Sequence, residues 1–388
     1  MRIHPQSKSG NQKGERWDKM IRILQSVSNM DRAGLETMLM NYYRHIDRTK
    51  VQFDFIVNKS KPGNYDEEIK HMGGRIFLSP GLSPLRYPKY LRFVKEIVEK
   101  DDRIKIVHAH NEAMGFYALS GAKKAGVKVR IAHAHNIQII RDYKWPLKMV
   151  CKRLLPLAAT DLWSCGRDAG IYYFGKKRWE ERGVIIRNAI ETEKFAFNTA
   201  VRDEMRKKYD LKGKKVLGHV GRFNLQKNHD RLLDIFAAYQ KRNPESMLVL
   251  VGEGELESEV REKAERLGLA NKVIFAGLQE NVNEWYQVMD VFLLPSLFEG
   301  LPVVGVEAQA AGLPCVFSDR VTDEIALSDQ VMHLSLDSEN EKWAEAIEYL
   351  IQNKKDRKQG ERLVRKAGYD IATEAERLQN LYLSMSER

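Results

Sequence analysis

Short apolar runs alternate with amphipathic stretches twice over in this 388-residue chain, and no other feature restricts its fold as much. Residues 21–27, 51–57, 75–78, 105–108, 128–133 and 161–164 have the length and the β-branched content of strands. The segments between them, such as 35–45, 87–99 and 112–125, carry apolar residues at helical spacing. Strand and helix in strict alternation build βαβ units, so a parallel sheet covered on both faces is expected. The series ends at residues 183–188, residues 189–210 read as a polar link, and a second series follows at 215–220, 247–251, 272–276, 291–294, 314–318 and 331–334. Charged helices close the chain. The expected class is α/β, with two doubly wound, Rossmann-like domains. Open α/β sheets bind ligands beyond the carboxyl ends of their strands, so two facing sheets predict an inter-domain cleft.

The length agrees with two domains of about 100 to 200 residues each. Apolar residues at 43% and charged residues at 30% are ordinary for a soluble globular chain and exclude wholesale disorder. No run approaches the roughly 18 uncharged residues of a membrane span. Cys151, Cys165 and Cys315 are too few for a disulfide framework, and no signal-peptide pattern opens the chain, so a reducing cytoplasm is expected. Residues 1–19 are polar and aperiodic and read as a tail or leader, with Met20 as a candidate start.

The net charge of +11 is unevenly placed: residues 20–185 hold 30 basic and 17 acidic side chains, whereas residues 186–388 hold 29 and 34. A basic first domain suits nucleic acid or an anionic membrane leaflet, where each nearby Lys or Arg contributes about 1 kcal/mol. Arg141, Lys144, Trp145, Lys148, Lys152 and Arg153 alternate with Leu147, Met149, Val150, Leu154 and Leu155, the mixture of an interfacial helix. A solvated helix with one face in the core is the other reading. Recognised nucleic-acid motifs are absent.

Residues 295–319, PSLFEGLPVVGVEAQAAGLPCVFSD, place Glu299 in a loop bounded by Pro and Gly and Glu307 in the apolar helix that follows. Eight helical residues would separate them by roughly 12 Å. A glycosidase pair needs about 5 to 9.5 Å, so the two carboxylates read as separate grips on one extended ligand. Between them, Gly300, Leu301 and a helix beginning near Val303 offer free N–H groups and a positive dipole end to a phosphate. Hydroxyls at both ends and phosphate in the middle describe a nucleotide-sugar. In GHVGRFNLQKNHDRLL, residues 218–233, a strand ends at Gly221 and delivers Arg222 and then Lys227, two cations suited to a diphosphate. Pairing with surface carboxylates is the alternative. VGEGELE, residues 251–257, has Glu257 where a dinucleotide fingerprint needs its third glycine, which argues against nicotinamide binding.

Taken together these motifs resemble the retaining glycosyltransferases of family 4, of GT-B fold, over residues 20–388 and most specifically over 216–319, and within them the EpsF-like group of exopolysaccharide and capsule biosynthesis. EGLPVVGVE resembles the family's two-glutamate element, GRFNLQKNH its phosphate-binding Arg/Lys element and GEGELE its G-x-G segment. The resemblance implies that Glu299 holds donor-sugar hydroxyls, Glu307 the ribose, Arg222 and Lys227 the diphosphate, and Asn281 with Val282 the base. It also implies a donor-binding domain over 188–368, an acceptor-side domain over 20–187 and a terminal helix, 369–388, returning to the first domain. In SNMDRAGLE, residues 28–36, Ala33 stands where family members carry the first of two glycines, and Gly34 keeps the close backbone approach.

His108 with His110, and His133 with His135, are spaced to share a face of a strand, and a metal site there lacks supporting carboxylates. By resemblance HAHN, residues 133–136, lies beside the donor sugar, with His135 the first candidate and His133 the second. The activity so implied is metal-independent transfer of a hexose or N-acetylhexosamine, from a UDP-sugar by preference, to a glycan or lipid-linked acceptor, with the basic domain on the inner membrane face. Rival readings are a non-hydrolysing nucleotide-sugar epimerase, a metal-dependent hydrolase and a non-catalytic nucleic-acid binder.

Overall fold

The computed structural model describes residues 20–388 except Ala33 and Ile140, so the leader and the Ala33 substitution lie outside the described residues. Seven strands form the first sheet: β1 Ile21–Ser26, β2 Val51–Val57, β3 Ile76–Leu78, β4 Ile104–Ala109, β5 Val129–Ala134, β6 Asp161–Ser164 and β7 Gly183–Ile185. All pair in parallel, in the order β3-β2-β1-β4-β5-β6-β7. Six more, β8 Val216–Val220, β9 Met247–Val251, β10 Val273–Gly277, β11 Val291–Leu294, β12 Cys315–Ser318 and β13 Val331–Leu334, form a second parallel sheet in the order β10-β9-β8-β11-β12-β13. Both are doubly wound. Helices cover both faces, so β2, β8 and β9 are buried along their whole length, and β9, MLVLV, reads as a continuous apolar run.

Chain order reverses between β1 and β4 in one sheet and between β8 and β11 in the other. Adjacent strands there send their loops apart and leave a crevice at their carboxyl ends. The SNMDRAGLE segment and the first His pair leave strands at the first of these points, and the GRFNLQKNH and two-glutamate elements leave strands at the second; GEGELE and HAHN follow the neighbouring strands β9 and β5.

Polar residues inside strands are paired. Arg22 of β1 makes two hydrogen bonds to Asp54 of β2, at 2.7 and 2.6 Å, and Arg75 meets the same carboxylate from its other side. These arginines hold Asp54 below the usual carboxylate range although burial opposes them.

Residues 189–210 are more structured than a polar link. They form helices Thr192–Phe195 and Thr199–Lys208, the second capped by the Asn198 side chain accepting from the Ala200 and Val201 amides. Phe195 and Met205 are buried, and Arg202 and Arg206 both reach Asp290. A few apolar anchors in a charged sequence suffice once arginines have a carboxylate to face. The last helix, Ile371–Ser386, capped by Asp370, lays Tyr382 against Phe53, His108 and Trp163 of the first domain.

Candidate active site

The loop after β8 and the loop after β11 are stitched into one unit. Gln226 receives the Leu297 amide on its carbonyl at 2.8 Å, and its side-chain amide donates to the Phe298 carbonyl and to Glu299 Oε2 at 3.0 and 3.2 Å. Asn228, in a left-handed conformation with φ of 55°, donates to the Pro295 carbonyl at 3.1 Å. Asn224 caps the short turn Leu225–Lys227 by accepting from the Lys227 amide. Lys227 Nζ is thereby aimed at Glu299 Oε1 at 2.6 Å, in a pair whose side chains are only 15% and 8% exposed.

Gly252 and Gly254, after β9, underlie this unit. A Cβ on Gly252 would lie 2.2 Å from the Gly221 carbonyl oxygen, and one on Gly254 would lie 2.3 Å from that of Phe223. Both glycines let one loop rest on the backbone of the other, which is the packing role of the GEG segment. Arg222 stands apart from Lys227: it is exposed and pairs with Glu255 at 3.0 Å on the rim. Its charge still reaches Glu36, a buried carboxyl on helix Gly34–His45 of the first domain that burial pushes up to about 7.

Glu307 sits in helix Val303–Ala310 and is buried, accepting the Tyr286 hydroxyl at 2.8 Å. Burial pushes its carboxyl up to about 7 against the opposing pull of Tyr286, Lys194 and Lys227. Leu301 is buried and its carbonyl accepts from Asn188 at 2.5 Å; Val303, also buried, opens the helix. Asn281 is exposed at the start of helix Val282–Val288 and hydrogen-bonds Glu284, while the adjacent Glu280 meets Arg32 of the other domain at 2.8 Å. A Cβ on Gly34 would meet nothing within 4 Å.

The first domain closes on this unit through Gly300. A Cβ there would lie 1.9 Å from the His135 carbonyl oxygen, so the loop that carries Glu299 rests directly on the backbone of the HAHN segment. His135 is half-buried, and its Nε2 is 2.9 Å from Nδ1 of His110. His133 lies one layer deeper, with Nδ1 3.0 Å from Nε2 of His108. His108, His110 and His133 each bring one ring nitrogen within 4.8 Å of the others, a spacing that would suit a metal. Both nitrogens of His108 and of His110 are, however, engaged with other rings, with Gln25 or with Tyr382, so ligation by these two would have to break those bonds; His133 Nε2 is buried without a partner.

Sequence reasoning passed over Glu112. Its Oε1 accepts from the His135 amide at 3.3 Å and from the Asn136 side chain at 3.0 Å, and its Oε2 is buried without a hydrogen-bond partner. Its φ of 52° is unusual for a residue with a side chain, and strain of this kind costs about 1 to 3 kcal/mol and gathers at functional sites. Burial pushes its carboxyl up to about 7. The available signal was a charged residue directly after the polar end of β4, in HAHNE.

Two facing doubly wound domains, with a lysine–glutamate unit on one and a histidine segment on the other, form a two-domain structure of GT-B architecture. Residues 201–367 match the family described as glycosyl transferases group 1, and residues 32–193 match glycosyltransferase family 4. The putative glycosyltransferase EpsF of Bacillus subtilis is 40% identical over 333 residues, covering 84% of this chain and 86% of that protein. The UDP-Gal:alpha-D-GlcNAc-diphosphoundecaprenol alpha-1,3-galactosyltransferase of Escherichia coli is 29% identical over 228 residues, 57% of this chain and 59% of that one. HepE of Anabaena, solved in complex with UDP, superposes with a TM-score of 0.76 at 17% identity, over 94% of this chain and all of that one, and so shares the fold. The chain belongs to glycosyltransferase family 4, in its EpsF-like group.

Proposed function

We propose that this enzyme transfers a hexose or N-acetylhexosamine from a UDP-sugar to a glycan or lipid-linked acceptor of a cell-surface polysaccharide, with retention of anomeric configuration and without a metal. The observation that carries the reading is the buried Lys227–Glu299 pair, held at a sheet's switch point beneath the loop that touches His135. Lys227, assisted by Arg222 from the rim, neutralises the diphosphate as its bond to the sugar breaks. Glu299 accepts from sugar hydroxyls, Glu307 from the ribose, and the Asn281–Val282 turn borders the base. Gly300, Leu301 and Val303 present backbone to the phosphates, and Gly34 leaves room on the opposite wall. His135 lies against the sugar with His133 behind it. The departing diphosphate takes the acceptor proton on the same face.

We further propose that the first domain docks on an anionic leaflet at the inner face of the cytoplasmic membrane. Helix Trp145–Ala158 turns Val150, Leu154 and Leu157 outward at helical spacing, flanked by exposed Arg153. Among the described residues no helix is long and apolar enough to cross a membrane.

Isothermal titration of UDP-sugars tests the donor half. Glu307→Ala should weaken binding at least tenfold, chelator should leave transfer unchanged, and product analysis should show retained configuration. Undiminished binding by the variant would overturn the assignment of Glu307. Release of a free epimer without acceptor would favour the epimerase reading.

A further inference from the structure

Four imidazoles stack side by side beneath the cleft. His108 of β4 and His110 just beyond it face His133 of β5 and His135 just beyond that, with ring centroids 4.0 to 5.2 Å apart. Among the described residues no carboxylate hydrogen-bonds any of these rings, and three of them are fully buried. A buried imidazole without an anionic partner is neutral, so each ring holds one proton on one of its two nitrogens.

That constraint lets the protons be followed. Gln25 of β1 has its side-chain amide 3.4 Å from the Tyr382 hydroxyl and its carbonyl oxygen 2.9 Å from His110 Nε2. An amide oxygen can only accept, so His110 carries its proton on Nε2 and presents a bare Nδ1. His135 Nε2, 2.9 Å away, must then be the donor. The second branch runs the same way. Tyr382 accepts from Gln25 and gives its own proton to His108 Nδ1 at 2.7 Å; His108 Nε2–H then donates to His133 Nδ1 at 3.0 Å. The chain ends on His133 Nε2, which is buried without a partner.

We propose that Gln25 and His110 are positioning residues that lock His135 in its Nε2–H tautomer, leaving the Nδ1 lone pair for a hydroxyl of the bound sugar. This rests on the reading of His135 as a donor-sugar contact. A histidine free to exchange tautomers would offer that hydroxyl a donor part of the time, whereas the locked ring offers only an acceptor. The partner that fixes the far side of a functional imidazole therefore sets what the near side can do. Tyr382 anchors the same network from the last helix of the chain, 274 residues from His108 in sequence.

Nitrogen-15 NMR of the protein labelled at histidine tests the assignment without reference to activity. All four rings should carry their proton on Nε2 in the wild type, and in Gln25→Leu the His135 signals should move toward a mixture of tautomers. Gln25→Glu, which gives His110 an anionic partner and lets it hold both protons, should instead drive His135 to its Nδ1–H form, because His110 Nδ1–H then donates to His135 Nε2. In transfer assays Gln25→Leu should lower kcat by about 10- to 100-fold, the range seen where partners orienting metal-bound histidines are removed, with donor KM changed far less. An Nδ1–H signal for His135 in the wild type would overturn the proposal. So would an unchanged tautomer in Gln25→Leu, or a stoichiometric metal in the purified protein, because ligation would consume the same nitrogens. An Nε2–H tautomer in a protein that transfers no sugar would uphold the lock and refute only the functional reading on which it rests.

Discussion

Replacing Lys227 by methionine separates what its charge does for the fold from what it does for the ligand. The Lys227–Glu299 pair is nearly dry, and removing one partner from such a pair costs about 3 to 5 kcal/mol because the other charge is left buried alone. Gln226 still donates to the second oxygen of Glu299, so the low end, about 3 kcal/mol, applies here. In a domain of this size that corresponds to a fall in Tm of about 6 to 12 °C. Adding Glu299→Gln removes the stranded charge, so the double variant should regain most of the lost stability and still fail to bind UDP-sugar. Differential scanning calorimetry of the wild type, both single variants and the double variant gives the stability cycle, and titration calorimetry gives the binding. If the lysine variant melts like wild type, the pair is not the buried contact described. If the double variant binds donor normally, the unit is structural and the donor lies elsewhere.

Three further outcomes follow from the same geometry. Gly300→Ala sets a Cβ against the His135 carbonyl and must shift the seam between domains, so kcat should fall about 100-fold while far-ultraviolet circular dichroism stays unchanged; full activity would mean that the contact is not made in the working enzyme. Stability should decline as pH drops from 6.5 to 5.5. His108, His110, His133, His135, His219 and His229 are all held below the usual histidine range by burial, so their unfolded forms take up protons that the folded forms refuse. Glu36, Glu112 and Glu307, raised to about 7, work in the opposite sense, since the folded state regains protons that the unfolded chain still lacks. At about 1.4 kcal/mol per group per pH unit, six histidines outweigh three glutamates. A Tm that rises over this interval would contradict the burial assigned to the histidines. Finally, binding to anionic vesicles should weaken with salt and on neutralising Lys144, Lys148, Lys152 and Arg153 together, although Lys148 is already paired with Asp142 and contributes less; vesicle binding indifferent to both would end the docking proposal.

Much of the architecture was written in the apolar pattern, because strands buried on both faces admit little else: β2, β6, β9, β11 and β13 fall on the segments read from sequence. The two helices within 189–210 escaped that reading, since their anchors are Phe195, Met205 and arginines that find Asp290 some 85 residues away. The placement of Glu299 in a loop and of Glu307 in the helix after it was legible because only local spacing was needed. The Lys227–Glu299 contact, by contrast, joins residues 72 positions apart, and no local rule predicts it. The histidine network was visible only as two H-x-H pairs, because its direction is set by Gln25 and Tyr382, neither of which carries a local signature. Glu112 was hidden by its conformation. A left-handed backbone turns its carboxyl inward beneath the HAHN segment, whereas the sequence reading places Glu112 at the start of a helical stretch.

The central claim is that a nucleotide-sugar lies lengthwise along the second domain. Crystals grown with a UDP-hexose should show Lys227 at the diphosphate, the Glu299 carboxylate on the sugar hydroxyls, Glu307 on the ribose and His135 Nδ1 facing the sugar. The compound bound anywhere else, or this groove left empty at saturating concentration, would contradict it.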